Sequence, residues 1–248
     1  MSRPLFAFLE RDDAMPWKAR WRWLRRGVSP DVTVVLTSCG RHDLLERTLA
    51  SFGAWNTDPG VAEILVVEDG PGDPSAICAR HGARLLRLGG SRGQIAAIEA
   101  GYAQVRTPYI FHLEDDWEFH RGGFIERSRA LLAADPSTIC VWLRAWDDTN
   151  GHPLHFTSAA GDFGVLAFGY RGKWHGFTFN PGLRRLSDYA AIGSFGHILA
   201  SPLKHEGQIS QHYHALGYRA VILDRGGYVR HIGWDRRIPQ GPVDPTPA

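Results

Sequence analysis

The chain has 248 residues, of which 44% are hydrophobic and 22% charged, and it carries a formal net charge of +2. That length buries a sizeable core, and the composition is that of a globular protein with neither disorder nor a fibrous repeat, read here as a single domain. A charge so near neutrality excludes a protein whose main task is neutralising a nucleic-acid backbone, so no nucleic-acid partner is expected.

Residues 1–31 form an N-terminal arm in which Trp17, Trp21 and Trp23 stand among Lys18, Arg20, Arg22, Arg25 and Arg26. This mixture suits the headgroup zone of an anionic membrane and suggests a peripheral contact through 17–26; indoles packing on the domain are the plainer reading. From residue 32 short apolar runs alternate with amphipathic stretches, the rhythm of an α/β domain with a Rossmann-like, mostly parallel central sheet flanked by helices. Val32 to Leu36 reads as a first buried strand because its apolar content is continuous. It ends in a turn at Thr37, Ser38, Cys39, Gly40 and Arg41. Asp43 and Glu46 have the spacing of a capping box for a helix that places Leu44, Leu45, Leu49 and Phe52 on one face.

Ile64 to Val67 is a second buried strand, stopped at Glu68-Asp69-Gly70-Pro71-Gly72. Ala83 to Leu88 is a third, followed by a Gly89 to Gly93 loop that lets a ligand approach backbone but lacks the dinucleotide fingerprint. A helix carrying Ile95, Ala96, Ile98, Ala100 and Tyr102 comes next. Tyr109 to Leu113 forms a fourth strand that runs into Glu114-Asp115-Asp116. A helix over 124–132 and a strand over 139–143 follow. Residues 144–196 are rich in Gly, His and aromatic residues and read as loops. Regularity returns with a helix at 205–216, a strand at 220–223 and the segment Gly227 to Gly233. The tail at 238–248 reads as disordered, so the domain spans 32–237.

Cys39, Cys78 and Cys140 are odd in number and widely spaced, which predicts reduced thiols and, by default, a cytoplasmic setting. No run approaches the roughly 20 apolar residues of a membrane span, and the N-terminus lacks the order of a signal peptide.

Ligands of open α/β sheets bind beyond the carboxyl ends of the strands. The polar groups at the ends of the first, second and fourth strands therefore should meet in one crevice. Three adjacent carboxylates repel one another unless a cation or hydrogen-bond donors offset them. Mn²⁺ or Mg²⁺ held by one or two of them would bridge the phosphates of a nucleotide-sugar and stabilise a departing diphosphate. A solvated acidic turn is the competing reading.

The runs at 33–38, 64–70 and 109–116, with the Arg92-Gly93 loop between them, together resemble family two, GT-A-fold, inverting glycosyltransferases. The resemblance is strongest over 32–135. It implies a hexosyltransferase-type enzyme moving a sugar from a nucleotide-diphosphate donor, UDP-sugar first and GDP-sugar second, to a hydroxyl on a glycan, lipid or small molecule. Residues 32–143 would be the donor half and 144–237 the acceptor half. Thr37, Ser38 and Arg41 would line the nucleobase end, Glu68 or Asp69 would meet base or ribose, and Arg92 would contact base or phosphate. Asp116 would ligate the metal, with Glu114 and Asp115 orienting ribose or metal-bound water. Glu-Asp-Asp stands where the family has Asp-x-Asp, so which carboxylate touches the ion is left open.

Phe179 to Arg184, Glu206 and His231-Ile232-Gly233 also resemble the superfamily and imply that His231 completes the metal shell. A carboxylate must take the acceptor proton during transfer; Glu206 is the first choice and Asp188 the second. Trp142, Trp146, Trp174 and Trp234 offer flat faces to a sugar or belong to the core. His152, His155 and His175 have no ligand spacing. A sugar-phosphate nucleotidyltransferase would need a phosphate loop after the first strand that Thr37 to Arg41 matches poorly. A catalytically silent nucleotide- or carbohydrate-binding module is the non-enzyme alternative.

Overall fold

The computed structural model describes residues 29–200 and 205–236; the arm at 17–26 and the tail at 238–248 lie outside the described residues. In chain order the first half comprises β1 (Val32–Ser38), α1 (His42–Trp55), β2 (Val61–Glu68), α2 (Ser75–Arg80), β3 (Arg84–Arg87), α3 (Gln94–Tyr102), β4 (Tyr109–Glu114), β5 (Trp117–Phe119), α4 (Phe124–Ala134) and β6 (Thr138–Trp142). The second half adds β7 (Leu154–Thr157), β8 (Phe163–Leu166), β9 (Gly182–Arg185), α5 (Leu186–Ile192), α6 (Phe195–Ile198), α7 (His205–Ala215), β10 (Arg219–Leu223) and β11 (Val229–His231).

The central sheet has the order β3-β2-β1-β4-β9, parallel except for β9, which runs antiparallel to β4. Because β1 is buried along its whole length, alternate residues feed two cores. Val32, Val34 and Leu36 pack with Leu45, Leu49 and Phe52 of α1 and Phe124 of α4 on one face. Val35 packs with Leu65, Val67, Ala97, Ile98 and Tyr102 on the other. Helices on both faces follow from strands that are apolar on both sides. A second sheet, β6-β10-β8-β7, continues past β9. The two sheets touch closely where Gly182 of β9 meets β6, since a Cβ there would lie 2.4 Å from the Val141 carbonyl oxygen.

Three expectations change. The 144–196 region is ordered into β7, β8, β9, α5 and α6, and it supplies an edge strand of the central sheet. The capping box does not form: Arg41 occupies the N-cap without a side-chain bond, Asp43 pairs with Arg236, and Glu46 pairs with Arg80 and His81. These tertiary ion pairs take both acids away from the helix start. β3 is a short edge strand, partly exposed throughout. Among the described residues all three cysteines are free, and no helix is long and apolar enough to cross a membrane.

Asp135 closes α4 onto the second sheet. Its carboxylate accepts from Ser137 and Thr138 and from Arg219 at 2.6 Å, tying α4 to β6 and β10. Burial opposes ionisation, but these donors outweigh it and hold the group at about 2. A depressed carboxyl pKa gives stability that is complete above the unfolded value and is lost as pH falls through the folded one. Asp135→Asn should therefore cost on the order of 1 kcal/mol at pH 7, about 2–4 °C in Tm, with the cost shrinking as pH falls toward 2 and gone only below it. Thermal melts across that range would check it.

Candidate active site

Register alone assembles the crevice. Ser38 pairs with Glu68 across β1 and β2, and Thr37 pairs with Glu114 across β1 and β4, so the three strand ends lie side by side. Leu88 N donates to the Glu68 carbonyl, which brings the 89–93 loop to the same edge.

The acids at the end of β2 serve the loops. Glu68 Oε1 accepts from Gly40 N at 2.8 Å and Gly70 N at 2.7 Å, joining the turns after β1 and β2. Asp69 accepts from Arg92 N and Gly93 N, each at 2.7 Å, and so fixes the start of α3. Both carboxylates are buried, and Glu68 Oε2, 3.3 Å from His42 Nε2, accepts no hydrogen bond among the described residues. The Arg92 side chain is exposed at the mouth. Thr37 and Ser38 are buried in the strand end, and Ser38 Oγ has no hydrogen-bond partner among the described residues.

The triplet is not three equivalent acids. Asp115 is 0% exposed and receives the Arg41 guanidinium, which also reaches Asp116 Oδ2 at 2.7 Å. Thr48 Oγ1 donates to the Asp115 carbonyl at 2.7 Å. Burial raises the Asp115 carboxyl to about 6 despite Arg41. Asp115 is thus the inward anchor of the turn. Arg41, expected at the nucleobase end, is instead the counter-charge of the triplet, because two buried carboxylates need a cation more than the crevice rim does.

Glu114 keeps partial solvent access and is held by Gln94 Nε2 at 2.8 Å and Trp117 Nε1 at 3.4 Å. Burial, with Asp116 and Glu206 adding repulsion, pushes its carboxyl up to about 8. Asp116 is 5% exposed, with Oδ2 contacting Arg41 and, at 3.3 Å, His231 Nε2. Burial alone would raise its pKa, but His231 and Arg41 more than offset this and lower it. Its Oδ1 is buried and has no partner among the described residues.

His231 arrives by a feature absent from the expected elements. β5 and β11 pair antiparallel with His231 opposite Trp117, and Ile232 N donates to the Asp116 carbonyl at 2.8 Å. Gly233 is required next to it, since a Cβ would come within 2.6 Å of Asp116. The imidazole lies edge-on to Trp117, ring centres 4.9 Å apart, and against Trp234, which is 46% exposed at the rim.

Glu206, in the first turn of α7, lies near enough to Glu114 to add to the repulsion that raises the Glu114 pKa. Oε1 accepts from Thr178 Oγ1 at 2.8 Å and Phe179 N at 2.7 Å. Burial raises its pKa, partly offset by those donors, Arg184 and Arg144. Asp188 is removed from the site. Arg185 pairs with Tyr109, so Asp188 lies at the opposite end of β4, about 17 Å of strand from Glu114, bound to Arg185 at 2.5 Å and Tyr218 at 3.1 Å. Trp142 belongs to the core, its Nε1 donating to the Gly176 carbonyl at 2.7 Å. Gln94, Trp117, Arg144 and Thr178 were not expected at the site, and Arg184 carried no role of its own within the Phe179 to Arg184 segment, because their contacts depend on pairings between distant segments.

No group of three or more His, Cys, Asp or Glu among the described residues is spaced to cage a metal ion. Asp116 and His231 make a two-donor set with one buried orphan oxygen. A hard divalent ion commonly takes only one or two carboxylates from protein and completes its shell with phosphate oxygens and water. The residues present fit that arrangement and not an all-protein cage.

The Glycosyl transferase family 2 model matches residues 33–191, well over half of the chain. No curated protein matches the chain in sequence. Among solved structures, it resembles the mannosyltransferase PcManGT from Pyrobaculum calidifontis, in complex with GDP-Man and Mn²⁺, with TM-score 0.59 and 13% identity over 89% of this chain and 65% of that one. It also resembles S. aureus TarS residues 1–349, with TM-score 0.58 and 13% identity over 80% of this chain and 59% of that one. The chain spans less than two thirds of either structure. At this identity the likeness concerns the fold, a GT-A α/β domain with a mostly parallel sheet.

The Arg41 clasp predicts a large coupling. Arg41→Met strands a wholly buried carboxylate and should cost about 3–5 kcal/mol. Adding Asp115→Asn should recover a substantial part of that loss, so the double variant should be more stable than the sum of the singles implies. Urea denaturation of the four proteins measures the coupling directly.

Proposed function

Starting from the fact that the chain belongs to glycosyl transferase family 2, we propose that it transfers a sugar from a nucleoside-diphosphate sugar to a hydroxyl acceptor with inversion, assisted by Mn²⁺ or Mg²⁺. The observation that carries the reading is the buried Asp116 Oδ1, without a hydrogen-bond partner among the described residues, beside His231 at the end of the central strand. A divalent ion bound there would neutralise the negative charge that develops on the departing diphosphate.

The remaining steps belong to side chains. Asp116 and His231 would hold the ion, and the exposed Arg92 side chain would meet the donor phosphates at the mouth. Thr37 and Ser38 form the floor toward the nucleobase, with Ser38 Oγ available to it. Asp115 serves by locking the turn. Donor contacts fall within 32–143 and acceptor contacts within 144–237.

Inverting transfer needs a base on the face opposite the leaving group. Glu206 fits that role because Thr178 and Phe179 fix one oxygen while the other accepts no hydrogen bond among the described residues. It takes the acceptor proton as the acceptor oxygen bonds to the anomeric carbon and the diphosphate leaves. The pKa of Glu206 is raised by burial, which strengthens it as a base near neutral pH. The GDP-Man and Mn²⁺ of the Pyrobaculum calidifontis complex make GDP-sugars and Mn²⁺ a sensible first pair to assay, with UDP-sugars beside them.

Asp116→Ala should abolish ion-dependent donor binding. Glu206→Gln should bind donor normally and lose about 10²- to 10⁴-fold in kcat. Calorimetry and nucleoside-diphosphate release with GDP- and UDP-sugars read the two effects separately. A fully active Glu206→Gln enzyme would show that the base lies elsewhere.

A further inference from the structure

Arg184 is an unusual cation for its position. Its side chain stands on β9 at 2% exposure, with the guanidinium over Phe177 at 5.2 Å and Phe179 at 5.9 Å. Nη2 donates to the Thr178 carbonyl at 3.0 Å, and Nε and Nη1 are buried without a well-aligned hydrogen bond among the described residues, with the Tyr102 hydroxyl as a neighbour of the guanidinium. No carboxylate lies within ion-pair distance of it among the described residues. A buried guanidinium without a paired acid is costly, and its field falls on whatever ionisable group is near.

The groups around it sort by charge. His112 of β4 is wholly buried beside Tyr102, whose hydroxyl meets His112 Nδ1 at 3.1 Å, and burial together with Arg184 holds that imidazole neutral. Tyr102, Cys140 and Tyr213 are protonated near neutrality, because burial raises each of them. The remaining acid that feels Arg184 is Glu206, which shares Thr178 with it: Arg184 binds the Thr178 carbonyl, and Thr178 Oγ1 binds Glu206 Oε1. Among the described residues, the other charged groups that act on or are felt by Glu206 are Glu114 from β4 and Arg144 after β6, and Arg144 is already paired with Asp148.

We propose that Arg184 is a positioning residue for the candidate base: its buried, acid-free guanidinium, acting through Thr178, holds the Glu206 carboxylate ionised with one oxygen free for the acceptor. The inference rests on the reading of Glu206 as that base. It assigns Arg184 no contact with substrate. The same arrangement explains a buried arginine in a four-residue edge strand, where an apolar residue would fill the space without electrostatic cost.

The test is a carboxyl ¹³C NMR titration of glutamate-labelled protein, with the Glu206 resonance identified by its loss in Glu206→Gln. Arg184→Met keeps the length of the side chain and its packing on Phe177 and Phe179, and should raise the Glu206 pKa by about one unit, a tenfold change in its protonation equilibrium. Arg184→Lys should restore most of the wild-type value. An unchanged Glu206 pKa in folded Arg184→Met overturns the proposal. If Arg184→Met does not fold, Arg184→Gln decides: an upward shift of the Glu206 pKa supports the coupling, and none overturns it. Full turnover by Glu206→Gln would defeat the base assignment alone, since the titration still reads the Arg184 coupling.

Discussion

The guanidinium of Arg41 seated on Asp115 and Asp116 is the contact from which the rest of the site follows. Repulsion among three consecutive carboxylates at the end of a buried strand would open the turn. One partly buried cation, together with the Thr48 hydroxyl on the Asp115 backbone, closes it. The closure divides the acids. Asp115 turns inward, while Glu114 and Asp116 are left facing the crevice in different electrostatic states, the first with its pKa raised and the second with its pKa lowered. Because Arg41 begins α1, the clasp also fixes the loop after β1, and Glu68 passes that constraint to the loop after β2.

The crevice thus has a rigid acidic wall built by the first half of the chain and a second wall brought by later elements. β11 delivers His231 by pairing with β5, and α7 delivers Glu206, held by the Thr178-Phe179 segment. Neither late element is positioned by local sequence. Each depends on a strand or loop already docked on the central sheet, so this second wall is sensitive to changes well away from it.

The strands that are buried on both faces were legible, since β1, β2 and β4 have no polar face to interrupt their apolar runs. The end of β4 was legible as a place where acids converge, because parallel topology leaves few alternatives. β9 was not: Gly182-Leu183-Arg184-Arg185 carries two arginines in four residues, and its burial comes from β4 and β6. β7 is an edge strand with three exposed residues, and nothing in it announces pairing. Asp188 read as a loop carboxylate, yet the antiparallel run of β9 carries it to the far end of the sheet. Arg41 read as a ligand contact because its true partners lie more than seventy residues away.

The central claim is that the protein supplies only part of a divalent-ion site and the diphosphate supplies the rest. Electron paramagnetic resonance of free Mn²⁺ during titration with the full chain tests it most directly. Expected is little loss of the free-ion signal with protein alone and a marked loss when GDP or UDP is also present, beyond that caused by the nucleotide alone. Equal uptake with and without nucleotide would mean a protein cage, and no uptake with either nucleotide would mean that the acids at the end of β4 are not an ion site.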